Sequence, residues 1–250
     1  RIRDLAGLWP LGVLVFGVVI VVMAQPDLGT TLVIVATIYL MTFVAGARMS
    51  HLGGAGLVGL VGGAGLIYSA SYRKERFLGF LHPWEDSSGR GYQLVQGLIA
   101  LGSGGLTGVG LGASRQKWLY VPNAHTDFIF AIIGEELGLV GALTMLAAFA
   151  MLFVAGIRTA LRAPDAFGRF LASGIVAWFG VQTLVNLGAV TGVLPITGVP
   201  LPFVSYGGSS LVVSLAAVGI LVNVARAGIG SHSRASSAER GARKRREPAR

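Results

Sequence analysis

Ala124-His-Thr-Asp-Phe-Ile-Phe-Ala-Ile-Ile-Gly-Glu-Glu-Leu-Gly138 sets three carboxylates, Asp127, Glu135 and Glu136, against an apolar run, and the run continues uncharged to Ile157. A carboxylate beside hydrocarbon is expensive unless it has a partner or a task. If one helix carries all three, Asp127 and Glu135 lie eight residues apart on nearly one face. Glu136 then turns away by about 100°.

The surrounding chain explains the hydrocarbon. Of its 250 residues, 53% are hydrophobic and 12% charged, where soluble domains carry about twice that charge. Crossing a bilayer takes roughly 20 apolar residues. Uncharged stretches of that size occupy 5–26, 28–47, 52–72 and 137–157, and 170–225 is long enough for two spans and a loop. The pattern predicts an all-α, polytopic membrane bundle of about six transmembrane helices, near 8–24, 30–47, 52–70, 128–157, 168–190 and 210–226. None resembles a cleavable signal peptide. Gly59 and Gly63 have the small-xxx-small spacing that lets helices pack closely. The stretch 91–114 is also uncharged, but glycines at 97, 102, 104, 105, 108, 110 and 112 suit no continuous helix. It reads as a short amphipathic helix from Gln93 to Leu101, then a Gly-rich loop at the membrane surface.

Six spans sort the cations. Arg1, Arg3, Arg48, Arg158, Arg162, Arg169 and the C-terminal stretch fall on one side, which is therefore cytoplasmic. A transmembrane domain over 1–226 thus carries a large extracytoplasmic loop, 71–127, and is followed by 227–250 as a basic, disordered cytoplasmic tail. Much of the net charge of +9 lies in that tail, which suits anionic membrane lipids. No aromatic residue interleaves with its arginines, so nucleic acid is not an expected partner. The chain has no cysteine, hence neither disulfide nor thiol chemistry.

The outer loop carries cations against the positive-inside rule. Arg76, Arg115 and Lys117 suit a phosphate or pyrophosphate ligand, Arg as a bidentate fork and Lys as a point charge. A second outer loop, 194–210, holds too many prolines and glycines for a regular helix and no charge. Such backbone at membrane depth must be buried or line a wet cavity. Ser205, Tyr206 and Ser209, with the N–H groups of Gly207 and Gly208 at a helix start, form a candidate polar cradle. Asp127, at the edge between water and lipid, is a candidate general base. His125 is placed to tune it or to bind substrate. Glu135 and Glu136 read as structural, one pairing with an Arg from another helix. His125, Asp127 and Glu136 match no metal-ligand spacing, and neither a nucleotide-binding glycine motif nor a P-loop is present. No metal or cofactor is expected, and the residues say nothing of a divalent-cation requirement.

Five motifs in order, Gln25-Pro-Asp-Leu-Gly-Thr30, Gly91-Tyr-Gln-Leu-Val-Gln96, Ser114-Arg-Gln-Lys117, the opening stretch, and Pro202-Phe-Val-Ser-Tyr-Gly-Gly-Ser-Ser210, resemble the SEDS family (shape, elongation, division and sporulation). Ser114-Arg-Gln-Lys117 and the opening stretch look more like the division branch, FtsW, than the elongation branch, RodA. The resemblance implies a peptidoglycan glycosyltransferase that polymerises lipid II on the outer face of the bacterial cytoplasmic membrane, at the division septum. Implied partners are a class B penicillin-binding protein that crosslinks the strands, other divisome proteins, and the undecaprenyl-linked glycan. Asp127 would be the catalytic acid of the family, and Gln93 joins the substrate-binding set. Family members carry further helices before the six matched here. The chain opens at Arg1 without a Met, so it reads as lacking them. Two other readings stand beside the polymerase: a lipid II flippase, which needs a polar path through the bundle, and a non-catalytic divisome scaffold acting through the tail.

Overall fold

The computed structural model describes residues 5–116 and 125–246, with side chains over 9–116 and 125–228. Eight helices run through the described residues: α1 (Leu5–Met23), α2 (Leu28–Val44), α3 (Met49–Tyr68), α4 (Ser71–Leu81), α5 (Tyr92–Ser103), α6 (Ile129–Arg162), α7 (Ala166–Val190) and α8 (Gly208–Arg246). Four of them, α3, α6, α7 and the Gly208–Gly228 part of α8, are long and apolar enough to cross a membrane. Trp9–Met23 and Leu28–Val44 are shorter apolar helices. All six fall on the stretches that predict spans. The uncharged stretch 91–114 is instead α5 followed by turns.

The helix starts are written locally. Asp27 caps α2, its carboxylate accepting from the Thr30 amide at 2.9 Å and the Thr30 hydroxyl at 2.6 Å. Asp165 does the same for α7 through the Gly168 amide at 2.9 Å. The expected outer loop 71–127 holds two helices, since α4 forms from Ser71-Tyr-Arg-Lys-Glu-Arg-Phe-Leu-Gly-Phe-Leu81. Over 227–246 the backbone continues as α8, where a tail without regular structure is expected. Ala, Arg, Lys and Glu there all favour a helix.

Packing is inverted relative to a water-soluble protein. Phe16, Leu57, Val58, Leu60, Val140 and Val212 face outward, while Asp127, Glu135, Gln182, Thr183, Asn186 and Ser214 are buried. Hydrocarbon around the bundle accounts for both. α7 packs between α2 and α6, and α5 lies on α6. The central cluster joins Ala100, Phe128, Phe130, Ile132, Val190 and Leu201. α3 touches chiefly α4 and α2. The expectation that Gly59 and Gly63 form a packing seam is therefore corrected: nothing lies within 4 Å of where a side chain would begin at either one. α3 stands at the margin and turns those glycines away from the bundle.

α6 is two helices joined at Gly138, whose backbone (φ 65°, ψ −163°) leaves helical space. In an unbroken helix the carbonyls of Glu135 and Glu136 would bond the amides of Leu139 and Val140. Here those carbonyls accept from Val109 and Gly110, both at 3.0 Å, while the amides donate to Gly105 at 2.9 Å and Leu106 at 3.2 Å. The Gly-rich segment after α5 thus fills the break and satisfies it, which a membrane demands. The segment expected as a Gly-rich loop is thus threaded into the break in α6. Close approach explains the glycines: a Cβ on Gly108 would sit 2.1 Å from the Glu136 carbonyl oxygen.

Candidate active site

Asp127 occupies a turn immediately before α6, with Phe128 as the helix N-cap. Helical periodicity therefore does not relate it to Glu135, and the shared face expected of the two does not exist. Asp127 is 8% exposed. Its Oδ1 accepts from the Thr126 hydroxyl at 2.9 Å. Burial pushes its carboxyl above the ordinary value, against the pull of the Thr126 hydroxyl, its own amide and the positive charge of Arg76.

The turn is gripped through its main chain. The Tyr206 amide donates to the His125 carbonyl at 2.8 Å. The Ser205 hydroxyl donates to the Thr126 carbonyl at 2.5 Å. The Asn186 carboxamide donates to the Asp127 carbonyl at 2.7 Å and to Val199 at 2.8 Å. Three successive carbonyls are thus each met by a donor from α7 or the loop between α7 and α8. That loop is itself taut. Ser205 Oγ accepts from the Leu201 amide at 2.7 Å, Gln182 Nε2 donates to the Pro200 carbonyl at 2.9 Å, and Phe203 takes a left-handed φ of 64°. A left-handed phenylalanine is strained by about 1–3 kcal/mol and persists only where its surroundings fix it. Its ring is held 4.9 Å from that of Phe179.

The other expected site residues divide. Tyr206 is 80% exposed, and its ring meets the exposed His125 edge-on at 6.3 Å. Of the residues expected to form a cradle, Gly207 precedes α8 and Gly208 and Ser209 open it, while Ser205 and Tyr206 bond the carbonyls of Thr126 and His125. Ser205, expected to bind substrate, gives its only hydrogen to Thr126. Arg76 is exposed on α4, stacked 4.9 Å over Tyr72, and reaches Asp127 by its field. Gln93 is half-buried on α5, one turn before Gly97, at which a Cβ would lie 2.5 Å from the Phe128 ring. Arg115 is exposed, and Lys117 lies outside the described residues.

Glu135 is buried, 2% exposed. It is met by the Ser114 hydroxyl at 2.5 Å and the amides of Arg115 at 3.0 Å and Gln116 at 3.4 Å rather than by an Arg side chain. Glu136 accepts from the Ser114 amide at 3.4 Å. The acidic pair therefore pins the start of the Ser114–Lys117 motif to α6. Among the described residues no group of three His, Asp or Glu side chains could hold a metal ion. Sequence reasoning missed Asn186, Gln182 and Thr126. A usable signal existed, because Gln182 and Asn186 are the carboxamides of a mostly apolar helix, stand four residues apart and so share a face.

These features define a multi-pass helical membrane protein with a buried carboxylate at one end of its bundle, under a clasped loop. The family model for cell cycle proteins of the FtsW, RodA and SpoVE type matches residues 3–228, and the chain belongs to that family. It is 53% identical over 213 residues to stage V sporulation protein E of Bacillus subtilis (strain 168), covering 85% of this chain and 58% of the relative. To the probable peptidoglycan glycosyltransferase FtsW of Geobacter metallireducens it is 47% identical over 218 residues, covering 87% and 58%. The fold matches a chain of a peptidoglycan synthase complex that coordinates polymerization and crosslinking (TM-score 0.70, 33% identity, 90% of this chain and 64% of that one). It also matches the rod shape determining protein RodA of Thermus thermophilus (TM-score 0.59, 32% identity, 90% and 58%). The chain thus spans well under two thirds of the length of these curated relatives.

Proposed function

We propose that the protein is a peptidoglycan glycosyltransferase that polymerises lipid II during cell division, with Asp127 as general base. The carrying observation is a carboxylate buried at the edge of the bundle, its proton affinity raised by burial. Asp127 takes the proton of the acceptor sugar's 4-hydroxyl. The oxygen attacks the anomeric carbon of the growing glycan, and the bond to undecaprenyl pyrophosphate breaks with inversion. Arg76 and Arg115, with Lys117, stabilise the leaving pyrophosphate. His125 and Tyr206, the Gly207–Gly208 helix start and Gln93 contact the substrate.

An apolar groove of about 590 Å³, lined by Ile133, Leu137, Val140, Thr144 and Met145, runs along α6 beside the break. It suits a polyprenyl chain. The reading places the reaction on the extracytoplasmic face at the septum, beside a class B penicillin-binding protein and other divisome proteins. The buried amides of α7 close on loop carbonyls instead of lining a path, which favours chemistry over lipid transport.

The test is lipid II polymerisation by the complete protein purified with its penicillin-binding partner, wild type against Asp127→Asn. Glycan strands from wild type and none from an equally folded variant are expected. Equal product from both would move the chemistry off Asp127, and none from either would return the flippase and scaffold readings.

A further inference from the structure

Among the described residues the carboxylate of Asp127 has one side-chain partner, the Thr126 hydroxyl, yet the chain that bears it is held at three consecutive carbonyls. Donors on the carboxylate itself would favour its ionised form and weaken it as a base, whereas donors on the main chain aim it without that effect. We propose that Asn186 is a positioning residue that, with Ser205, fixes the 125–127 turn so that the Asp127 side chain is presented to the acceptor hydroxyl. The inference rests on the reading of Asp127 as base.

Four observations carry it. Both hydrogens of the Asn186 amide nitrogen are engaged, one by Asp127 and one by Val199, so this side chain joins the acid's turn to the loop that supplies Ser205 and Tyr206. Two carbonyl acceptors also fix which end of the amide is nitrogen. The Asp127 carbonyl stands outside the helix ladder: the Ala131 amide, which a helix begun at Asp127 would direct to it, bonds Phe128 at 2.9 Å. Finally, Asn186 is 1% exposed, so both bonds lie in dry surroundings where losing them is costly. It touches no substrate; its action runs through the backbone. Among the described residues the charge that acts on Asp127 is Arg76 of α4, with His125 in its own turn and Tyr206 of the loop against His125; Glu135 of α6 is engaged by Ser114, Arg115 and Gln116. α7 contributes only Arg169, in its first turn at the far end of the helix from Asn186.

The experiment measures kcat, KM for lipid II and the pH–rate profile of the complete protein with its partner. The variants are Asn186→Leu, Ser205→Ala and Ser205→Thr. A misplacement on the scale of 1 Å costs about 100-fold in rate, so Asn186→Leu should lower kcat about 100-fold with KM within about threefold. The acidic limb of its profile should move to lower pH, as water reaches the released carboxylate. Ser205→Ala should change kcat in the same direction by about 10-fold, the scale of one lost hydrogen bond, and Ser205→Thr should restore it. An unchanged kcat, or a loss matched by lost folded protein with the acidic limb unmoved, overturns the proposal. If Asn186→Leu does not fold, the Ser205 pair decides by the same criteria. Asp127→Asn is run alongside: activity in that variant defeats the base reading itself, while its inactivity beside a wild-type Asn186→Leu defeats only the positioning role.

Discussion

Asp127 couples function to stability with a sign opposite to that of most surface carboxylates. Its pKa in the folded protein is raised from the ordinary 3.8 by burial, so between that value and the raised one the native state keeps a proton that the unfolded chain has released. Its contribution to stability is fully present below that ordinary value and is lost as pH rises through the raised folded value. Asp127→Asn removes an ionised group from a dry site while keeping its shape. The variant should therefore unfold at a higher temperature than wild type near neutral pH, and the gap should close as the pH is lowered toward the ordinary carboxylate value. Thermal scans of both proteins in the same detergent measure this. For the proposed catalysis the same shift runs the other way: a base must be ionised, so the proposal predicts that polymerisation falls as pH drops through the raised value.

At the scale of elements, the break in α6 governs. Gly138→Ala meets two obstacles, a backbone with φ +65° and a Cβ 2.4 Å from the Gly108 nitrogen. A strained backbone with such a clash should destabilise by about 3 kcal/mol or more, read as a drop in unfolding temperature together with faster amide exchange at Val109, Gly110, Leu139 and Val140. The break also marks where the sequence stopped being legible. Six apolar stretches, the short helix after Gly91 and the caps at Asp27 and Asp165 all follow from composition and near-neighbour chemistry. Gly134-Glu-Glu-Leu-Gly138 contains no proline and reads as helix; only the arrival of residues 105–110, fixed by tertiary contacts, makes the break stable. Glu135 was legible as buried but not as satisfied, because backbone amides leave no trace in the residue pattern. Asn186 carries no charge and belongs to no motif, so its bond to Asp127, 59 residues away, shows only in three dimensions.

Across the whole molecule, tight and open seams predict opposite responses to the same kind of change. Gly29, at the head of α2, would place a Cβ 2.5 Å from the Thr197 carbonyl oxygen, against the loop that clasps the acid. Gly29→Val should lower both unfolding temperature and polymerisation, by about 2 kcal/mol or more of stability, as expected of overpacking. Gly59→Ala on α3 meets nothing within 4 Å and replaces a poor helix former. It should leave activity intact and shift stability by no more than about 1 kcal/mol, upward. Unfolding temperatures of the pair, read beside glycan yield, check both.

The clasp also has a consequence in time. Asn186 follows Asp127 by 59 residues, and Ser205 follows Thr126 by 79. At a synthesis rate of about 5–20 residues per second, several seconds separate the emergence of the acid from that of its holders. A nascent chain halted in that interval carries the reactive group without its aim. The grip on the 125–127 turn is complete only once the segment through Tyr206 has been inserted and folded back, so the aim proposed for Asp127 is acquired late in the making of the chain.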